Sequence, residues 1–545
     1  MARTAVALLV SVGIGLAGIS QTVSAEERHG LRQGVRATGT MTKSDKDAVF
    51  PLDAGKGDFI QGVLDIKGGP VDLDVIDAEN RPVRRLIAGG TGSNSFLFIA
   101  NGGGEMLRLA TPGADVSYGL EITRKLAPIE QVPPAKTYLS PAIAAIADKA
   151  RDGASLDAFW AKIGKAGTPL VEPATDGMRI VTFLYRGAKR NVLILGAPSG
   201  DHDAMDHIDA TDIWFKTYVL PASTRLSYQL APDVPDLPGT ARERRVAILA
   251  TAQADPLNHF PWPADATDRF NRSSTLTLEE APAQQYLAEW AVPKGRLSSF
   301  EISSPRLGNK RTITLYRPPG YSAENPDNLL LFVFDGDDYQ TKVPVPTILD
   351  NMIADKAIPP IVAVLIPNPD RQARTRELPG NPDFIAFMAD ELLPKVLQQT
   401  GMKAKPAHTV VAGSSFGGLA AVTIALARPD VFGNALSMSG SFWWHPESVA
   451  AEDGEYVAAS VSRLPRAAIR LFLSAGRFEV KGPGPDAGIL DANRHLRDVL
   501  IAKGYPVHYR EYAAGHDYLA WRGIFSDGLI ALFGHRRPAL QTKKF

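Results

Sequence analysis

The run Leu329-Leu330-Leu331-Phe332-Val333-Phe334 offers no polar side chain to either face. A strand with one wet face alternates apolar and polar residues, so an unbroken apolar strand is covered on both sides. From residue 294 onward such runs alternate with helical sequence, as at Val410-Val411-Ala412 and Leu471-Phe472-Leu473. That pattern predicts an α/β domain with an open parallel sheet over residues 294–545. Upstream the texture differs. Phe59-Ile60-Gln61-Gly62-Val63-Leu64-Asp65-Ile66, Val71-Asp72-Leu73-Asp74-Val75-Ile76 and Ser95-Phe96-Leu97-Phe98-Ile99 alternate between Gly-, Asp- and Asn-rich breaks. They predict a small β-sandwich module over residues 30–128.

After Pro128, Pro133 and Pro134 comes helical sequence from 141 to 165, then a β-rich stretch from 178 to about 290. There Arg179-Ile180-Val181-Thr182-Phe183-Leu184-Tyr185 and Asn191-Val192-Leu193-Ile194-Leu195 read as antiparallel strands, and 136–292 is expected to form a second β-rich module. Gly89-Gly90-Thr91-Gly92 and Gly102-Gly103-Gly104 lack a following Lys and helix, so they are expected to be hairpin turns and not phosphate cradles.

The amino-terminal sequence reads as an export leader over residues 1–25. Arg3 supplies the positive region, residues 5–19 an apolar core, and Val23-Ser24-Ala25 a small-residue cleavage site. The core is too short for a permanent span, and no later run reaches about 18 apolar residues. The expectation is an exported protein without an integral membrane segment, periplasmic in a Gram-negative cell. The 59 Lys+Arg residues balance 59 Asp+Glu, so no global charge draws the chain to nucleic acid. There is no Cys, which removes disulfides, thiolate metal sites and cysteine nucleophiles. A nucleophile here is oxygen- or nitrogen-based.

An oxygen nucleophile has a place. His408-Thr409-Val410-Val411-Ala412 reads as a strand, Gly413-Ser414-Ser415-Phe416-Gly417-Gly418 follows, and residues 419–427 read as helix. This is G-x-S-x-G at a sharp strand-to-helix turn, where side chains flanking the serine would collide with strand or helix. Ser415 is the candidate nucleophile, with the Phe416 N–H facing the oxyanion. A serine hydroxyl needs a base and an orienting acid. Glu479 follows one later strand, and His516 follows Val507-His508-Tyr509-Arg510-Glu511-Tyr512, both at the sheet edge where open parallel sheets build sites. Asp486 and Asp491 are alternatives to Glu479. His408, His495 and His508 are weaker bases, placed before the nucleophile strand, on a helix and mid-strand. A second oxyanion donor is expected after Leu329–Phe334, at Asp335-Gly336-Asp337, with Gly336 turning the chain so that the Asp337 N–H points inward.

At these motifs the sequence resembles the enterochelin esterase family. The resemblance rests on Asp335-Gly336, on Arg374 with Glu377-Leu378-Pro379-Gly380-Asn381, and on Glu391-Leu392-Leu393-Pro394. It continues through Gly413 to Leu419, Ser439-Gly440-Ser441-Phe442-Trp443-Trp444 and Gly515-His516-Asp517 with Trp521-Arg522. Gly167 to Pro173 and Asp212-Ile213-Trp214 are similar to the amino-terminal domain of two-domain members. The resemblance implies an α/β-hydrolase catalytic domain preceded by two β-rich modules. It implies a serine esterase, with Ser415, His516 and Glu479 as its triad, acting on a trilactone catecholate siderophore. It needs no cofactor, since any iron belongs to the substrate. A ferric catecholate is anionic, so Arg374 is the expected anion contact, with Trp443, Trp444 and Trp521 as stacking surface. Arg376 and Arg522 are expected to be ion-paired surface groups.

Two rivals remain from sequence: an exported esterase of another aromatic acyl ester, such as a feruloyl ester, and a non-catalytic siderophore-binding protein. The cluster from Asp201 to Asp209, with His202 and His207, is expected to be a solvated loop and not a metal site.

Overall fold

The computed structural model describes residues 31–45, 47–131, 137–200, 202–449, 455–480 and 488–534. The expected leader, Pro133, Pro134, Asp201 and Asp486 lie outside the described residues. The chain divides into two compact units, residues 1–136 and 137–545.

In the first unit, strands Phe59–Ile76 and Pro82–Ile99 form one long hairpin that turns at Asp77, whose carboxylate accepts the Arg81 N–H at 2.8 Å. The first half of Phe59–Ile76 pairs with Val116–Leu126 and the second half with Met106–Ala110. Hydrogen bonding makes this one six-stranded sheet, folded over a single core that joins Leu64 and Leu120 to Leu73 and Leu109. The architecture is sandwich-like, but the expected pair of separate strands is one strand. Gly89-Gly90-Thr91-Gly92 is likewise no hairpin turn. It lies inside Pro82–Ile99 beside the shift in register, with Gly89 at φ +58° and Gly92 at φ +68°. Left-handed residues bend a strand without ending it, which alternation alone does not reveal. Gly102-Gly103-Gly104 does turn, linking Pro82–Ile99 to Met106–Ala110, and those two strands do not pair with each other.

The second unit begins with helices Pro141–Ala147 and Gly153–Ala166, each capped by an acceptor side chain, Ser140 or Asp152. Two four-stranded sheets follow. Met178–Arg186 pairs with Leu170–Pro173 and Ile213–Pro221, whereas Val192–Gly196 pairs with Arg225–Pro232 in the other sheet. The two expected strands are therefore both present but face each other across a core, with Phe183 edge-on to Tyr228 at 4.7 Å.

The remainder is an eight-stranded sheet, in the spatial order Arg296–Ser304, Asn309–Arg317, Ile361–Ile366, Leu329–Phe334, Thr409–Ser414, Asn434–Met438, Arg470–Gly476 and Val507–Tyr512. The first two strands are antiparallel and the other six run parallel. Leu330, Phe332 and Phe334 enter the core on one face, and Leu329, Leu331 and Val333 enter the core on the other. This double burial is why the run lacks polar residues. The parallel strands all end on one edge, and Asp335, Ser415, Ser439, Glu479 and His516 lie at or just past those ends.

Candidate active site

Ser415 sits between strand Thr409–Ser414 and helix Phe416–Ala427 with φ +58° and ψ −122°. A non-glycine residue in such a conformation costs on the order of 1–3 kcal/mol and persists where its surroundings over-determine it. Here the Ser415 N–H donates to Met438 O at 3.0 Å, and its carbonyl accepts from Leu419 N at 3.0 Å and Ser441 N at 3.1 Å. The glycines allow the turn to close. A β-carbon on Gly413 would lie 2.7 Å from the Gly417 backbone, and one on Gly418 would lie 2.5 Å from Ser437 Oγ. The Ser415 hydroxyl shares a 3.3 Å hydrogen bond with the Ser441 hydroxyl.

His516 Nδ1 and Glu479 Oε1 share a hydrogen bond of 2.5 Å. A carboxylate only accepts, so Nδ1 donates and Nε2 is left as the acceptor nitrogen. Glu479 Oε2 takes the Gly476 N–H at 2.6 Å, and its side chain is 2% exposed against 38% for the imidazole. The alternative Asp491 is on helix Ile489–Ala502, 3.8 Å from Arg494. The Trp521 ring stands edge-on to His516 at 4.8 Å, and its N–H donates to Ser439 Oγ at 3.0 Å. His408 lies in the turn before the nucleophile strand, and His495 pairs with Glu455.

At the end of Leu329–Phe334 the positive φ belongs to Asp335, at +54°, not to Gly336. Glycine at 336 answers a different need, since a β-carbon there would lie 2.7 Å from Ile366 N. Asp337 precedes the short helix Asp338–Thr341, exposed and making no capping hydrogen bond with its side chain, and Asp338 accepts the Tyr518 hydroxyl at 2.8 Å and Lys342 at 2.8 Å. Arg374 is already engaged. Its Nε and Nη2 donate to the two Asp335 oxygens at 2.7 and 2.9 Å, while Asn368 donates to the same carboxylate at 2.5 Å. Burial works against the guanidinium charge, but the bonds and charge of Asp335 outweigh it and hold the Arg374 pKa above its usual value. The guanidinium also lies over the Phe416 ring at 5.7 Å.

Ser415 and His516 open into one cleft of about 440 Å³, walled on the sheet side by Arg374, Lys342, Tyr518 and Trp521. The opposite wall comes from the smaller sheets, with Trp262, Phe270, Arg272 and Gln229. Behind His516 a second hollow of about 350 Å³ shares Ser227, Gln229 and His516 with the first and reaches Phe478 and Val480. Trp443 and Trp444 stand apart from both linings. Trp443 packs on Phe416 at 6.2 Å, and Trp444 packs edge-on to Tyr456 at 6.2 Å. Arg376 is exposed and ion-paired as expected, but its partner Glu377, at 3.3 Å, is buried. Arg522 does not. Its Nε donates to Gln284 Oε1 at 2.9 Å, it lies over Trp262, and burial lowers its pKa. Of the 201–209 segment, Asp203 accepts the Tyr218 hydroxyl at 2.6 Å and His207 Nε2 meets Thr211 O at 3.0 Å. Among the described residues no group of three His, Cys, Asp or Glu side chains is placed to hold a metal ion.

Residues 304–532 match the putative esterase family, and residues 180–287 match the family described as enterochelin esterase, N-terminal. The iron(III) enterobactin esterase of Dickeya dadantii is 32% identical over 416 residues, which is 68% of this chain and 92% of that protein. The chain belongs to the enterochelin esterase family. The iron(III) salmochelin esterase of Escherichia coli O6:H1 is 32% identical as well, across 70% of this chain and 94% of its own length. Two solved members superpose on it. The ferric enterobactin esterase of Salmonella typhimurium does so with a TM-score of 0.57 and 32% identity, covering 69% of this chain and 98% of that one. The Shigella flexneri enterobactin esterase, crystallised in the presence of enterobactin, gives a TM-score of 0.55 and 30% identity, with 67% and 95% covered.

Sequence reasoning missed three features of this enterochelin esterase site. The cleft wall from the smaller sheets carried no motif. The Asp335–Arg374 pair joins residues far apart in the chain. Asp517 was quoted only as part of a motif, although an Asp directly before a helical run is itself a helix-start signal.

Proposed function

We propose that the chain is an exported serine esterase that hydrolyses the ester bonds of trilactone catecholate siderophores of the enterobactin type, releasing iron from the ferric complex. The observation that carries this reading is the Ser415–His516 cleft, cationic and aromatic on both walls, in a chain that matches enterobactin and salmochelin esterases over nearly their whole lengths. Ser415 is the nucleophile, His516 the base and Glu479 the acid. Turning the Ser415 hydroxyl from Ser441 toward His516 Nε2 aligns it for attack. Oγ adds to the ester carbonyl as its proton passes to Nε2, and Glu479 steadies the imidazolium.

The oxyanion develops at the amino end of helix Phe416–Ala427, where the Phe416 N–H has no carbonyl within the helix to meet. The Asp337 N–H is the second donor, and each such donor contributes about 10²–10³ in turnover. Collapse transfers the proton to the departing serine hydroxyl of the substrate and leaves an acyl-Ser415. Water, activated by the same imidazole, then frees the acid. Lys342 and Arg272 offset part of the negative charge of a ferric catecholate, and Trp262, Phe270 and Trp521 face its rings. The leader read from the amino-terminal sequence supports export.

A fluorophosphonate probe should label the wild-type chain and leave Ser415→Ala unlabelled. Mass spectrometry of products from a ferric and an iron-free trilactone should show stepwise opening and trimming. Cleavage of feruloyl esters alone would overturn the siderophore reading, and equal labelling of both chains would overturn the nucleophile.

A further inference from the structure

We infer that Asp517 is a positioning residue for His516, acting by tying the histidine loop to the domain formed by the smaller sheets; this rests on the reading of Ser415 and His516 as nucleophile and base. The loop 513–517 leaves strand Val507–Tyr512 and lies against strand Arg225–Pro232 of the neighbouring sheet. Two backbone donors of that strand reach it: Arg225 N–H donates to Ala513 O at 3.0 Å, and Ser227 N–H donates to Asp517 Oδ2 at 3.0 Å. The other oxygen faces the opposite way. Asp517 Oδ1 accepts Ala520 N–H at 3.1 Å and caps helix Tyr518–Phe533. One carboxylate thus clamps the residue next to the imidazole between a helix start and a strand of another domain.

Close packing leaves no slack on that side, since a β-carbon on Gly515 would lie 2.4 Å from the Ala197 β-carbon. Glu479 fixes only one imidazole nitrogen, and the ring is otherwise held edge-on by Trp521. The height of Nε2 above Ser415 therefore depends on where the loop sits, and the loop sits where Ser227 holds it. A displacement of about 1 Å at a reacting group costs about 10²-fold in rate. The domain of smaller sheets then does more than wall the cleft, because its docking sets the base in place.

The two oxygens make the test. Asp517→Asn keeps the length but has a single acceptor oxygen, so it can meet either the Ser227 N–H or the Ala520 N–H and turns a donating nitrogen toward the other. Asp517→Ser has a single short oxygen, which serves the cap and falls short of Ser227. Asp517→Ala has neither. With a nitrophenyl ester, we expect kcat of both the Ser and Ala variants lowered about 10- to 100-fold with KM within threefold, and the Asn variant, which can keep only one of the two bonds, between them and wild type. The rate of fluorophosphonate labelling at Ser415 should fall in parallel. Full kcat in the Ser variant would reduce Asp517 to a helix cap and overturn the inference, as would a loss confined to KM or an Ala variant within threefold of wild type. These readouts need no siderophore, so failure of the substrate reading, seen as intact trilactone with the wild-type chain, is separate from failure of the tether.

Discussion

The eight-stranded sheet pairs two of its buried carboxylates with arginine, whereas the paired four-stranded sheets beside it hold Asp255 with neutral donors. In the larger sheet Asp335 meets Arg374, and Glu377 meets Arg311 at 2.6 Å with both side chains almost wholly buried. In the smaller sheets Asp255 is 4% exposed and takes the hydroxyls of Thr168 at 2.7 Å and Tyr228 at 2.8 Å, with the Leu257 N–H at 2.9 Å. Charge partners are not the rule on the larger side, since buried Asp350 there takes the Tyr316 hydroxyl at 2.7 Å and the Gly295 N–H at 2.8 Å. Neutral donors thus serve on either side. What differs is the part each plays at the cleft, where one sheet edge carries Ser415 and His516 and the smaller sheets supply the opposite wall.

The sharpest way to break that division is at the base. His516→Ala should lower kcat by about 10³-fold or more while a ferric catecholate binds within a fewfold of wild type, measured by turnover and by quenching of cleft tryptophans. Near-normal turnover would remove His516 from the reacting set. A smaller effect is expected at the charged walls. Arg272→Ala, from the smaller sheets, and Lys342→Ala, from the larger, should each raise KM roughly 3- to 10-fold for an anionic substrate. Their kcat should change little, and the difference should shrink in high salt. A loss in kcat without a change in KM would put either residue in the chemistry instead.

The smallest effect concerns Asp255. Burial, opposed by its hydroxyl and amide donors, raises its carboxyl pKa above the usual value. The folded chain therefore binds this proton more tightly than the unfolded chain. Its contribution to stability is complete below the unfolded carboxyl pKa of about 3.9 and is lost as pH rises through the folded value. Melting temperatures of wild type and Asp255→Asn, compared from pH 8 down to pH 5, should shift in favour of wild type as pH falls. A constant gap would mean that Asp255 titrates normally.

Much of the site was legible because its signals are local. G-x-S-x-G after an apolar strand needs only the geometry of one tight turn, and Glu479 follows a strand that its apolar run announces, while His516 follows the alternating strand Val507–Tyr512. The misreadings share one cause, which is that pairing is not local. Met178–Arg186 and Val192–Gly196 are the antiparallel strands their pattern announced, but nothing in either run says which strand each pairs with. Gly89-Gly90-Thr91-Gly92 has turn composition, but a bend within Pro82–Ile99 uses the same left-handed residues. Arg374 had the charge expected of a substrate contact. Only the approach of Asp335 from another strand end shows that two of its donors are committed.

By itself the sequence determined the double-faced parallel sheet, the strained serine turn and the order in which acid and base arrive, because each is written in neighbouring residues by periodicity, sterics or spacing. The tertiary structure alone decided which carboxylate meets the imidazole, which aromatic rings line the cleft, and that one wall comes from the smaller sheets. Those outcomes depend on the distance between segments remote in the chain, and a distance exists only once the chain has folded.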